Sequence, residues 1–257
     1  MSTTSLMPSS ESDIRDLLIS ETEGLHIAGG QSRLRATEEK VISTCALTGI
    51  VEYEPGALTM VAKAGTPLSI INETLQKENQ QLAFEPPEYK HILNLLGHST
   101  IGGVFATNAS GSRRIQVGAA RDHLLGVRFI DGLGRVVKNG GRVMKNVTGY
   151  DLVKLMAGSW GTLGIITEVS FKVLPIAETQ VTLQIASREA SILTRAMNTP
   201  YDVSGTFYDV ASGFAYIRIE GFDKSVKYRM QQLLKDCLLY TSPSPRDQRG
   251  SRMPASA

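Results

Sequence analysis

The stretch at residues 97–111, Gly-His-Ser-Thr-Ile-Gly-Gly-Val-Phe-Ala-Thr-Asn-Ala-Ser-Gly, limits the possible folds more than any other part of the chain. It holds four glycines, small hydroxyl side chains and a Val-Phe-Ala insert. A backbone so free of bulk can run close against a flat ligand, or can pack on itself as a Gly-rich Ω-loop. A shorter signal, Gly29-Gly30-Gln31-Ser32, follows directly on a predicted strand, where small residues let consecutive backbone N–H groups converge on an anion such as a pyrophosphate. It lacks the G-x-G-x-x-G spacing and following helix of a Rossmann fingerprint, and a plain glycine turn is the alternative reading.

Short strands and helices alternate around these stretches. Residues 13–20 carry Ile14, Leu17 and Leu18 at helical spacing, and an apolar run at 25–28 then leads as a strand into Gly29-Gly30. Residues 50–53 and 57–62 flank Glu54-Pro55-Gly56 as two strands about a turn. Thr66 and Pro67 supply the N-cap and first-turn Pro of a helix whose apolar residues are Leu68, Ile71 and Leu75. Residues 127–130 and 135–138 bracket Asp131-Gly132-Leu133-Gly134 as a hairpin. A helix at 151–157 stops at Gly158, and 164–174 alternates as a strand up to Pro175. Beyond it come a strand at 181–185, a helix at 187–197, strands at 205–210 and 214–220, and a helix at 224–235. That β-α-β-β-α order is one strand short of a ferredoxin-like split βαβ domain.

Composition sets the class. With 42% hydrophobic and 20% charged residues, the chain suits a soluble globular protein of one or two domains. No run approaches the ~18–20 apolar residues of a membrane span, and the N-terminus lacks the basic and apolar regions of a signal peptide. A cytoplasmic protein without direct membrane insertion is expected. The net charge is +2, but residues 237–257 hold Arg246, Arg249 and Arg252 against Asp247, so residues 1–236 sum to zero. The pI of 8.5 is therefore no argument for nucleic acid.

The tail has its own reading. Cys237-Leu238-Leu239-Tyr240-Thr241-Ser242 back-translates as TGTCTCTTATACACATCT, the end of a common transposase-based sequencing adapter. Pro243 to Asp247 fit the adapter's next bases, and Ser251-Arg252-Met253-Pro254 with Ser256-Ala257 fit its later segment. The expected organisation is a disordered lead-in at 1–12, one domain at 13–175, an incomplete domain at 176–236 and a non-native tail at 237–257. A natural Pro/Ser/Arg tail is the alternative. Excluding the tail leaves Cys45 alone, so no intrachain disulfide is expected.

Several blocks together carry a resemblance: Gly29-Gly30-Gln31-Ser32, Val61 through Pro67, Glu85-Pro86-Pro87, Thr100-Ile101-Gly102-Gly103, Arg121-Asp122, Gly140 through Asp151 and Gly158 through Glu168. This set resembles the FAD-binding subunits of glycolate dehydrogenases (glycolate oxidases), most specifically at residues 144–151 and in the Gly-Ser-Trp-Gly-Thr-Leu-Gly block after them. The glycine loops alone indicate only the wider vanillyl-alcohol-oxidase-like superfamily with a PCMH-type FAD-binding domain.

The resemblance implies an α+β fold: a PCMH-type domain in which FAD lies extended between two subdomains, followed by a truncated ferredoxin-like cap domain. It implies that Gly29, Gly30, Gln31 and Ser32 hold the pyrophosphate, and that Gly65 and Pro86 line the cofactor's path. Thr100, Ile101, Gly102 and Gly103, with Ala109, Ser110 and Gly111, would approach the flavin side. Arg121 and Asp122 would belong to the core of the FAD domain, and Gly164, Ile165, Ile166 and Thr167 would contact the adenosine end. The chemistry agrees with this division, since pyrophosphate favours N–H donors and an isoalloxazine ring favours close backbone.

Other residues carry less. Where such flavoproteins often have a linking His, next to the Gly-Gly turn, this chain has Gln31, so noncovalent FAD is expected. His98 beside the flavin-side loop invites a reading as base or attachment point. His26, His91 and His123 show no ligand spacing with Cys45 or with each other, so no metal site is expected, and no Cys cluster can hold Fe–S. Lys145 and Tyr150 are either proton or anion partners or, for Lys145-Asn146, residues shaping the turn into the next helix. Arg113-Arg114 reads as a solvated pair.

No catalytic constellation for a 2-hydroxy acid is visible. On the resemblance, the chain is the FAD subunit of a complex that oxidises glycolate to glyoxylate, with a homologous FAD subunit and an iron–sulfur subunit as partners. Any membrane association would come through those partners. Two alternatives stand beside it: a structural or electron-relay FAD subunit without its own turnover, and a stand-alone FAD-dependent 2-hydroxy-acid oxidoreductase.

Overall fold

The computed structural model describes residues 5–21, 24–33, 40–141, 149–187 and 189–239. They fall into two compact units, Met1–Pro175 and Ile176–Ala257.

The first unit begins with β1 (Ser5–Leu6), α1 (Glu11–Ser20), β2 (His26–Ala28), β3 (Val41–Ser43), β4 (Ile50–Glu54), β5 (Thr59–Lys63), α2 (Leu68–Lys77) and β6 (Gln80–Gln81). It continues with α3 (Tyr89–Leu93), α4 (Ile101–Ala106), α5 (Arg114–Val117), α6 (Ala120–His123), β7 (Leu124–Ile130), β8 (Val136–Gly140), α7 (Leu152–Met156), β9 (Ile165–Lys172) and β10 (Leu174–Pro175). A small parallel sheet has the order β1-β3-β2, and a five-stranded antiparallel sheet the order β4-β5-β9-β7-β8. The main core joins Met60, Ala62 and Phe171 of the larger sheet to Ile71 and Leu75 of α2 and Phe105 of α4. Phe105 centres it, its ring 5.7 Å from Phe84 and 5.5 Å from Phe171.

Residues 5–12 are not the disordered lead-in expected from their polarity. Ser5 and Leu6 pair in parallel with Val41 and Ile42. Ser10 then opens α1 with a capping box, its hydroxyl accepting from Asp13 N while the Asp13 carboxylate accepts from Ser10 N. Ile14 anchors α1 in a second apolar cluster with Ile42, Leu47, Ile130 and Ile165. Arg128 of β7 forks the Glu11 carboxylate at 2.7 and 2.6 Å, fastening α1 to the five-stranded sheet.

The 97–111 stretch is not a self-packed loop either, because it contains α4. Thr100 caps this helix, its hydroxyl accepting from Gly103 N at 3.3 Å. A Cβ on Gly102 would stand 2.5 Å from the Ala64 Cβ, so glycine there permits contact between the helix and the chain leaving β5.

The second unit holds β11 (Thr179–Ala186), α8 (Ser191–Met197), β12 (Val203–Asp209), β13 (Phe214–Gly221) and α9 (Asp223–Leu239). Its antiparallel sheet has the order β11-β13-β12, so β13 lies between the two strands that α8 connects. Leu183 and Ile185 of β11, Ile217 and Ile219 of β13, Ile192 of α8, and Val226 and Leu233 of α9 form its core. α9 continues past Lys235 to Leu239. The fold is α+β.

Candidate functional site

A cleft in the first unit is lined by Ile27 and Ala28 of β2 and by Gly29, Gly30, Gln31, Ser32 and Arg33 of the turn after it. Ser99, Thr100, Gly102, Gly103, Val104, Ala106 and Thr107 also line it, and Thr44, Ala64, Trp160, Gly161, Gly164 and Ile166 complete the wall. The wall thus combines backbone-rich turns with an apolar surface from Ile27, Val104, Trp160 and Ile166, a composition suited to a ligand with both anionic and flat aromatic parts.

Two backbone segments cross where the turn begins. His98 N donates to Gly30 O at 2.9 Å, Gln31 forms a parallel bridge with His98, and the Ser32 and Ser99 hydroxyl oxygens lie 3.2 Å apart. A Cβ on Gly30 would lie 1.9 Å from His98 O, and one on Gly97 would lie 2.0 Å from Gly30 O. Neither position has room for a side chain. Gln31 takes the left-handed φ of 52°, a conformation found where successive N–H groups form an anion-binding nest.

Arg33 is the one ionisable side chain on this wall among the described residues. Its guanidinium lies 4.1 Å from the centroid of the Tyr89 ring, and Nη1 donates to Thr107 Oγ1. Burial pulls its pKa below the ordinary guanidinium value. Glu88, next to Tyr89, accepts from Ser99 Oγ at 3.2 Å.

The cleft gathers part of the residues expected from the sequence. Gly29, Gly30, Gln31, Ser32, Thr100, Gly102, Gly103, Gly164 and Ile166 line it. Ile101, Ala109 and Ile165 are buried in the hydrophobic clusters instead. Gly65 packs on the segment after β3, where a Cβ would stand 2.1 Å from Thr44 O. Pro86 lies half-buried in the connection between β6 and α3 and does not line the cleft.

Ser110 Oγ accepts from Ala120 N at 2.8 Å, and Gly111 N donates to Phe84 O at 2.8 Å, so both bind the chain to itself. Arg121 N donates to Asn108 Oδ1 at 2.8 Å, and Asp122 caps α6 by accepting from Ala119 N at 2.8 Å. Thr167 turns its hydroxyl to Glu11 Oε1 at 2.6 Å. Lys145 and Asn146 lie outside the described residues, while Tyr150 is exposed. Arg113, expected to be solvated, is 5% exposed with Glu85 at 3.6 Å. Cys45 Sγ and His98 Nε2 approach to 3.9 Å.

Arg33, Thr107 and Trp160 were not among the expected site residues. Trp160 sits inside the Gly-Ser-Trp-Gly-Thr-Leu-Gly block, and its left-handed φ of 57° is a feature only the coordinates show.

Residues 14–140 match the family described as FAD binding domain. The chain is 39% identical to the glycolate oxidase subunit GlcE of Escherichia coli (strain K12) over 81% of its own length and 59% of that protein. It is 34% identical to the glycolate oxidase subunit GlcD of Bacillus subtilis (strain 168) over 52% of its length and 27% of the relative. A D-lactate dehydrogenase of Anaerostipes hadrus is 33% identical over 56% of the chain and 29% of the relative. The chain thus spans less than two thirds of each. Among solved structures, an alkyldihydroxyacetonephosphate synthase superposes with a TM-score of 0.72 at 17% identity, over 91% of this chain and 50% of that one, a likeness of fold.

Proposed function

We propose, from the match of residues 14–140 to the family described as FAD binding domain, that this chain is the FAD-binding subunit of a complex oxidising glycolate, a small 2-hydroxy acid, to glyoxylate. The observation that carries the reading is the convergence of the 29–32 turn and the 99–103 segment on one cleft that tolerates no side chain at Gly30.

The residues fit the cofactor. Consecutive backbone groups of Gly29, Gly30, Gln31 and Ser32 would hold its diphosphate, and Val104, Ala106, Trp160 and Ile166 offer apolar surface to its flat rings. Bound FAD supplies a two-electron acceptor for the substrate's C–H bond. The chain's part is to position the cofactor, to keep water from the apolar side of the cleft, and to brace the turn through the His98 N to Gly30 O hydrogen bond. With Gln31 at the turn, attachment is noncovalent, and acid precipitation should leave the flavin in the supernatant.

A second reading has its own support. Among the described residues, Arg33 is the sole ionisable group on the cleft wall, so no proton acceptor for a 2-hydroxy acid stands there. On this reading the chain is an electron-relay or structural FAD subunit, and a homologous FAD subunit carries turnover. In both readings the partners are that homologous subunit and an iron–sulfur subunit, and groups closing the substrate side come from outside the described residues.

The deciding experiment measures glycolate-dependent reduction of an artificial electron acceptor by this chain, by the homologous subunit, and by the two together. Turnover that requires this chain's cleft, and is lost with Gly30→Val in the mixture, supports the first reading. Full turnover by the homologous subunit alone supports the second. Full turnover by this chain alone would replace both with a stand-alone oxidoreductase.

A further inference from the structure

Among the described residues lining the cleft, none supplies a counter-charge for Arg33. Its guanidinium rests on the Tyr89 ring and donates to Thr107 Oγ1, and among the described residues no carboxylate pairs with it. Thr107 Oγ1 in turn donates to Gly103 O at 2.7 Å, so the guanidinium is tied to the end of α4. Among the described residues, one ring face and one hydroxyl engage only part of the five guanidinium N–H donors. Withdrawing a cation from water without a counter-ion is costly, and the cost is met where an anion completes the site.

We propose that Arg33 is the cationic partner of the dinucleotide's diphosphate, an assignment that rests on the FAD reading of the cleft. The 29–32 turn supplies N–H donors without net charge, Arg33 supplies the charge, and Tyr89 and Thr107 hold the guanidinium in place before the ligand arrives. An anion beside this turn could also be the substrate's carboxylate, and the experiment separates the two sources.

The test is equilibrium binding of FAD, ADP, riboflavin and glycolate to the full chain at low and high salt, with Arg33→Gln and Arg33→Lys beside the unsubstituted protein. The proposal expects Arg33→Gln to weaken FAD and ADP about tenfold or more and to flatten their salt dependence, with Arg33→Lys intermediate and riboflavin unchanged. The ligand-free Arg33→Gln protein should melt no lower than the unsubstituted one, since an uncompensated cation has been removed.

Wild-type affinity and salt dependence for FAD in Arg33→Gln would overturn the assignment, as would an equal loss for riboflavin, which marks a structural role. A loss confined to glycolate would transfer Arg33 to the substrate carboxylate and overturn the assignment to the diphosphate. If the unsubstituted chain bound ADP through Arg33 but not FAD, the cofactor reading would fall and the diphosphate site would stand. Binding of neither would overturn both.

Discussion

Gly30 shows how a small residue signals closeness without saying to what. Its missing Cβ would collide with His98 O at 1.9 Å beside the cleft, while the missing Cβ of Gly65 would collide with Thr44 O at 2.1 Å and that of Gly111 with Glu85 O at 2.5 Å, both away from the cleft wall. In a sequence the three look alike, and only the coordinates show that Gly30 lines the cleft while Gly65 and Gly111 face other backbone. Arg33 carries no signal in the sequence, and only the coordinates show its guanidinium resting on the Tyr89 ring.

A prediction at this scale concerns His123, which is 3% exposed beside the Phe84 ring at 5.2 Å and donates from Nε2 to Val117 O at 3.1 Å. Burial, with Lys172 adding to it, lowers its pKa from 6.5. Below that value the unfolded chain binds a proton that the folded chain resists, so stability should fall as pH drops from 6.5 toward the lower folded pKa. His123→Gln should flatten the melting temperature against pH in that window. An unchanged slope in the variant would contradict it.

Elements were legible where periodicity was long. The alternation of β11 and β13 and the apolar spacing of α2 and α9 located those elements to within a few residues, because each buries one face. The two-residue strands β1, β6 and β10 offer no period to read, and the parallel β1-β3-β2 pairing depends on contacts distant in sequence. α4 was hidden because Gly102 and Gly103 argue against a helix locally, while the close approach of Gly102 to Ala64 favours a glycine there. Its cap gives a direct test. Thr100→Ala removes the acceptor for Gly103 N and is expected to cost about 1 kcal/mol in denaturant unfolding, with Thr100→Ser recovering most of it. Equal stability of all three proteins would show that the cap contributes nothing.

At the scale of the whole molecule, every residue lining the cleft falls within Met1–Pro175. Damage to the core of the second unit should therefore leave the cleft intact. Ile217 is fully buried there, and Ile217→Ala is expected to destabilise that unit by about 2–5 kcal/mol while the FAD dissociation constant stays within about twofold. A large loss of FAD affinity would show that the second unit supports the site. Among the described residues no helix is long and apolar enough to cross a membrane. The central claim is that the turn beginning at Gly29 seats FAD by backbone approach, and the most direct measurement is the flavin content per chain of purified protein, unsubstituted and Gly30→Val, after saturation with FAD and removal of the excess. The account predicts close to one FAD per chain for the former, and for the variant almost none, with the second unit's secondary structure retained. Stoichiometric FAD in Gly30→Val, or none in the unsubstituted chain, would contradict it.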